Sequence, residues 1–179
     1  MLRSAVPRAP FSLLPLSGDP IHFDDEPSED AEGGAGDAAP WVVLIVDDDR
    51  NVHEATLLAL HDERVAGRPL AFRHAYATAE AHRILADDPD VAVVLLDVVM
   101  ESPDAGLKLI RDIRGDLGRR DVKIIVRTGQ PGRAPEAKVR SDFAIDGYIT
   151  KATLTRAMLL EALTQVLQPD DAAGGSAPH

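Results

Sequence analysis

The chain contains no cysteine, which excludes disulfides, thiolate metal sites and cysteine nucleophiles. That fits a reducing compartment, and a cytoplasmic location is the expectation. No apolar stretch approaches the roughly 18 residues of a membrane span, so no membrane partner is expected. The first sixteen residues carry Arg3 and Arg8, but Pro7, Pro10 and Pro15 interrupt them. No clean apolar core precedes a small-residue cleavage site, so the segment does not read as a signal peptide. Basic residues are the minority, 19 Lys and Arg against 30 Asp and Glu, for a formal net charge of -11. Nucleic acid is therefore not an expected partner, since phosphate contacts need clustered Lys and Arg. There is no internal repeat. His22, His53, His61, His74, His82 and His179 show no H-x-x-x-H or similar ligand spacing and read as ordinary surface or core residues.

What is present suggests one domain with tails: 179 residues, 45% of them apolar. A body of roughly 125 residues buries about two thirds of its unfolded surface and needs no covalent staples. Composition divides the chain into three. Residues 1–39 are rich in Pro, Gly, Ala and acid, and hold much of the negative charge. They cannot bury enough apolar area to offset chain entropy, which predicts disorder. Residues 40–168 form the folded body, and the tail 169–179 reads like the N-terminal segment.

Within the body, strand and helix alternate. The pattern predicts strands at 42–46, 70–75, 91–96, 123–127 and 147–149, and helices at about 50–62, 78–87, 106–117, 135–143 and 153–167. Thr78 and Thr153 serve as helix starts, and Pro89 and Pro169 follow helix ends. The strands are unbroken apolar runs rather than alternating ones, so both faces are buried and the sheet is parallel. Five such units predict an α/β fold, three layers deep and doubly wound, with right-handed crossovers.

Four of these strands end in groups with chemistry. Val42 to Val46 runs into Asp47-Asp48-Asp49, and Val91 to Leu96 runs into Asp97. Ile124-Ile125-Val126 leads through Arg127 to Thr128, and Tyr148-Ile149-Thr150 leads to Lys151. Open parallel sheets place their ligands past the C-terminal strand ends, and this set reads as a site for Mg²⁺ and a phosphoryl group. An acid triplet after a strand is on its own equally well explained as a solvated helix N-cap. Thr128 alone is a turn hydroxyl, and Tyr148 alone a packing aromatic. It is the register of Asp97 and Lys151 with the triplet that favours a site.

The same residues carry a resemblance. Val43-Leu44-Ile45-Val46-Asp47-Asp48-Asp49, Leu95-Leu96-Asp97-Val98-Val99-Met100, Asp104-Ala105-Gly106-Leu107, Val126-Arg127-Thr128-Gly129 and Gly147-Tyr148-Ile149-Thr150-Lys151 are similar to the ordered motifs of the receiver domain of two-component response regulators. The likeness spans about Trp41 to Leu167. More narrowly, Arg127 to Gly132 and Asp97 to Glu101 resemble receivers at the head of large regulators whose output is an HD-GYP phosphodiesterase or similar. The resemblance implies a flavodoxin-like five-stranded parallel sheet of order 2-1-3-4-5, and a signalling module that is not itself an enzyme.

It further implies that Asp97 accepts a phosphoryl group from a sensor histidine kinase or phosphotransfer protein, forming an acyl phosphate. Asp48 and Asp97 would hold Mg²⁺, with Asp47 acting through water and the backbone carbonyl of Val99 as a further oxygen; such hard oxygen donors suit this ion. Lys151 and the Thr128 hydroxyl would neutralise and hold phosphoryl oxygens. Thr128 and Tyr148 would then switch the face made by the fourth helix and by the fifth strand and helix, toward a downstream protein effector. A homodimer is compatible with this. Gly129 leaves the site open. Val99 and Gln130 flank the path of a hydrolytic water, and apolar Val99 predicts a long-lived phosphorylated state.

Three departures from the family pattern carry expectations. Lys151 is followed by Ala152 instead of proline, which predicts either a trans peptide with a shifted loop or a strained cis bond. The loop 100–106 is longer than usual, and the fourth helix is short. Two other functions remain in view. One is a receiver that only docks or dimerises; the intact acidic, hydroxyl and Lys set weighs against it. The other is a Mg²⁺-dependent aspartyl-phosphate phosphatase, which would want an acid two residues beyond Asp97, where Val99 stands.

Overall fold

The computed structural model describes residues 38–168; the expected disorder of 1–37 and of 169–179 lies outside them. Hydrophobic alternation across a sheet buried on both faces organises everything else. Strand β1 (Trp41–Val46) sits at the centre, flanked by β3 (Arg68–Ala75) and β4 (Val91–Asp97), with β5 (Lys123–Thr128) and β6 (Gly147–Thr150) beyond β4. All these neighbours pair in parallel. One face carries Leu44, Val46, Val94, Leu96, Ile124 and Val126 under helices α2 (Thr78–Asp87), α3 (Ala105–Arg114) and α4 (Glu136–Asp142). The other carries Val43, Ile45, Val93, Leu95, Ile125 and Ile149 under α1 (Arg50–Leu60) and α5 (Arg156–Leu167).

The sheet has six strands where five are expected. The extra strand, β2 (Arg64–Val65), is two residues long and pairs antiparallel with the start of β3, so the full order is β2-β3-β1-β4-β5-β6. Ala66 and Gly67 make the turn with φ of 50° and 77°, the left-handed pair a tight hairpin requires. Two residues carry no periodic signal, and an alanine in that conformation gives little warning of a turn. The five parallel strands keep the expected 2-1-3-4-5 arrangement.

Helix ends shift for identifiable reasons. Helix α3 ends at Arg114, since Gly115 and then Gly118, with φ of 63°, follow. The last helix begins at Arg156, not at Thr153. Residues Lys151–Thr153 form a 3-10 turn, and the Thr155 hydroxyl caps α5 by accepting from the amide of Met158 at 3.2 Å. Among the described residues no peptide bond is cis, so Lys151-Ala152 is trans and the turn is the shifted loop. The fourth helix is seven residues long, as short as expected.

The long loop after β4 is fastened at both ends. The amide of Gly106 donates to Val98 O at 3.0 Å, and Glu101 accepts from the amide of Thr78, the first residue of α2, at 2.7 Å. A Cβ on Gly106 would lie 2.0 Å from the carbonyl oxygen of Asp97, and backbone cannot yield that much. Gly106→Ala is expected to lower stability by about 2–3 kcal/mol in urea unfolding, with the loop beside Asp97 displaced; unchanged stability would mean that the loop is not held this closely.

Candidate functional site

Parallel pairing brings the C-terminal strand ends to one edge, and that alone assembles the site. Asp47 follows β1, Asp97 ends β4, Thr128 ends β5 and Lys151 follows β6. Side chains on adjacent parallel strands face the same way at paired positions, and Asp97 pairs with Arg127, which pairs with Ile149. Asp47, Asp97, Arg127 and Lys151 therefore continue the face covered by α1 and α5. Thr128 and Tyr148 belong to the opposite face.

Lys151 Nζ reaches Asp47 Oδ2 and Asp97 Oδ2, each at 2.7 Å. Both carboxylates are buried, so this one ammonium holds two like charges side by side out of water. Burial raises the Asp97 pKa above the usual carboxylate range, and the Asp47 charge adds to this; the hydrogen bond and charge of Lys151 pull the other way without cancelling it. Asp48 is exposed. Asp49 performs the capping role that the triplet suggests, accepting from the amide of Asn51 at 2.9 Å, so only part of the triplet is left for a ligand.

Asp47, Asp48 and Asp97 each bring a carboxylate oxygen within 4.8 Å of the others. Three hard oxygen donors, two buried and one facing solvent, fit a small divalent cation that keeps part of its water. Val99 is half-buried, and its amide lies 3.4 Å from Asp97 Oδ1.

On the opposite face, Thr128 is fully buried and its Oγ1 accepts from the amide of Gln130 at 3.0 Å, which leaves the hydroxyl proton to be donated elsewhere. Gly129 and Gln130 are exposed; a Cβ on Gly129 would meet only the Lys151 side chain at 3.9 Å, so the approach there is open. Tyr148 is half-buried and its hydroxyl donates to Ala134 O at 2.7 Å. Burial, with Glu136 nearby, raises its pKa.

Two residues that carry no role in the sequence reading lie beside these groups. Arg127 is 3% exposed and sits beside the acid cluster, donating from Nη1 to Thr56 Oγ1 at 2.9 Å. Burial pulls its pKa down, partly offset by Asp47 and Asp97. His53 is buried, with Nε2 2.8 Å from Asp47 O and Nδ1 2.9 Å from His74 Nδ1. The available signal was helical: His53, Thr56 and Leu60 form the buried stripe of α1.

No protein-family model matches the chain. It is 43% identical over 129 residues to the 3'3'-cGAMP-specific phosphodiesterase 2 of Vibrio cholerae serotype O1, covering 72% of this chain; the chain spans a quarter (25%) of that relative's length. Among solved structures it is similar to the CheY-like response regulator receiver domain of Methanospirillum hungatei, at 28% identity and TM-score 0.53 over 69% of this chain and 90% of that one. It has the fold of the signal receiver domain of an HD domain-containing protein from Pseudomonas fluorescens, at 23% identity and TM-score 0.59 over 72% and 94%.

Because the folded-state pKa of Asp97 is raised, its contribution to stability is fully present below the ordinary carboxylate pKa and is lost as pH rises through the raised value. At neutral pH without divalent ions, Asp97→Asn is expected to melt at a higher temperature than the parent, with the gap closing in acid. Saturating Mg²⁺, at about 100 times its dissociation constant, is expected to stabilise the parent by about 2.7 kcal/mol and to lose this effect in Asp48→Asn; calorimetry with and without chelator checks both.

Proposed function

We propose that the folded body of this chain is a response-regulator receiver domain, whose Asp97 receives a phosphoryl group from a phosphohistidine and thereby changes which protein surfaces the domain presents. The observation that carries this is the buried Asp47–Lys151–Asp97 bridge, with the buried Thr128 at the end of β5. A carboxylate of raised pKa, held as an anion by one cation, is a nucleophile kept ready in a dry site.

In the transfer, a carboxylate oxygen of Asp97 bonds to phosphorus as the phosphorus–nitrogen bond breaks, and the electron pair returns to the donor imidazole. Lys151 turns from Asp97 Oδ2 toward a phosphoryl oxygen while keeping Asp47. The amide of Val99 and the Thr128 hydroxyl donate to the others. Asp48 and Asp97, with Asp47 through water and the Val99 carbonyl, would hold Mg²⁺, which would supply the positive charge that lets a phosphoryl group approach three acids.

The signal leaves along one loop. The Gln130 amide hangs on Thr128 Oγ1, the amides of Arg133 and Ala134 donate to Gln130 O at 2.9 and 3.4 Å, and Ala134 O holds Tyr148. When Thr128 swings to the phosphoryl group it drags Gln130, and the far end of the loop releases or re-seats the Tyr148 ring beside α4. Such a charge event biases a two-state element. The partners are a histidine kinase or phosphotransfer protein upstream and a protein effector downstream. Given the relative that bears the name of a cGAMP phosphodiesterase, the effector we propose is a phosphodiesterase of that kind, in the same or a separate chain.

Incubated with Mg²⁺ and acetyl phosphate, the parent is expected to gain one phosphoryl mass, and Asp97→Asn none. Absence of any gain in the parent, from acetyl phosphate or from a kinase, would leave a docking domain. Val99→Asn is expected to lose the phosphoryl group several-fold faster by giving the attacking water a hydrogen bond; slower loss would refute that role. Tyr148→Phe keeps phosphorylation but is expected to flatten the phosphorylation-dependent change in amide exchange over residues 130–136.

A further inference from the structure

On the α1–α5 side of the sheet an open cavity of about 310 Å³ lies behind the acid cluster, at the lower end of the roughly 300–1,000 Å³ typical of small-molecule sites. Its apolar lining comes from Val52, Ala55 and Ala59 of α1 and from Leu154 and Leu159 near the start of α5. Arg127 of β5 also lines it. Arg127 is 3% exposed, and its Nε is buried with no hydrogen-bond partner among the described residues.

A buried guanidinium with an unused donor is costly. Asp47 and Asp97 lend it favourable charge, but both direct their hydrogen bonds to Lys151, and its one bond is to a neutral hydroxyl, Thr56. The other cations lining it are already paired, Arg156 with Glu63 and Lys151 with Asp47 and Asp97. Arg127 thus brings a desolvated cation to the wall of the cavity, where an entering anion would find a charge partner. The surrounding methyl and isobutyl groups disfavour a fully hydrated dianion such as phosphate and favour an apolar body attached to the charge.

We propose that the cavity between α1 and α5 binds a small monocarboxylate, its carboxylate paired with Arg127 and its apolar body lying between the alanines of α1 and the leucines of α5. This site is separate from the phosphoryl-accepting edge and does not depend on phosphorylation of Asp97. Lys151 borders both, so the two sites share a wall.

The test is a ¹⁵N NMR titration of the full chain with hexanoate, with its neutral isostere hexanamide and with inorganic phosphate. Hexanoate is expected to shift α1 and α5 amides saturably, hexanamide to bind at least about tenfold more weakly, and phosphate to leave these amides unmoved. Ala55 is exposed at the mouth of the cavity, so Ala55→Trp is expected to fold normally and to abolish binding. Arg127→Met keeps the side-chain bulk and is expected to weaken hexanoate by at least about tenfold; where it fails to fold, Ala55→Trp decides. Equal binding of hexanoate and hexanamide, full binding to a folded Ala55→Trp, or the same shifts from phosphate would each overturn the proposal.

Discussion

Two buried carboxylates share a single ammonium at the C-terminal edge of the sheet, and most of the molecule can be understood as the means of keeping them there. Asp47 and Asp97 sit at the ends of adjacent central strands, each of which is paired on both sides. Lys151 arrives from β6 across the width of β5, and the 3-10 turn aims it inward. Remove that cation and the two acids repel one another in a medium that screens poorly. The site stores electrostatic tension that an incoming cation can relax.

The two faces of the sheet divide the work around that tension. On the α1–α5 face stand the charges: Asp47, Asp97, Lys151 and Arg127, an even number of each sign. On the opposite face stand the hydroxyls of Thr128 and Tyr148, joined by a short loop with a hydrogen bond at each end. In the proposed transfer, a group bound at the edge would touch both systems at once, and chemistry on one side would become geometry on the other.

Much of this was legible in the sequence because it depends on strand ends. Unbroken apolar runs gave the parallel sheet, and the residue following each run gave Asp47, Asp97, Thr128 and Lys151. What escaped depends on packing between elements. Arg127 looks like the polar end of an apolar strand. Only its pairing opposite Asp97 shows that it must be buried on the same face, and a strand covered on both sides leaves a charged residue no route to water. His53 escaped since its partners are a backbone carbonyl and a histidine 21 positions away. The β2 hairpin escaped because two residues have no period.

That hairpin has a bearing on how the molecule can meet its own kind. Parallel sheets end in rows of unpaired amides and carbonyls that invite strand addition. Here β2 folds back over the start of β3, with Pro69 facing it, and Trp41 donates to Val65 O at 3.0 Å to hold the flap in place. The other border, β6, is only four residues long. β2 covers the start of one margin and the other is short, which leaves strand addition only β3 beyond Pro69 and the four residues of β6 to build on.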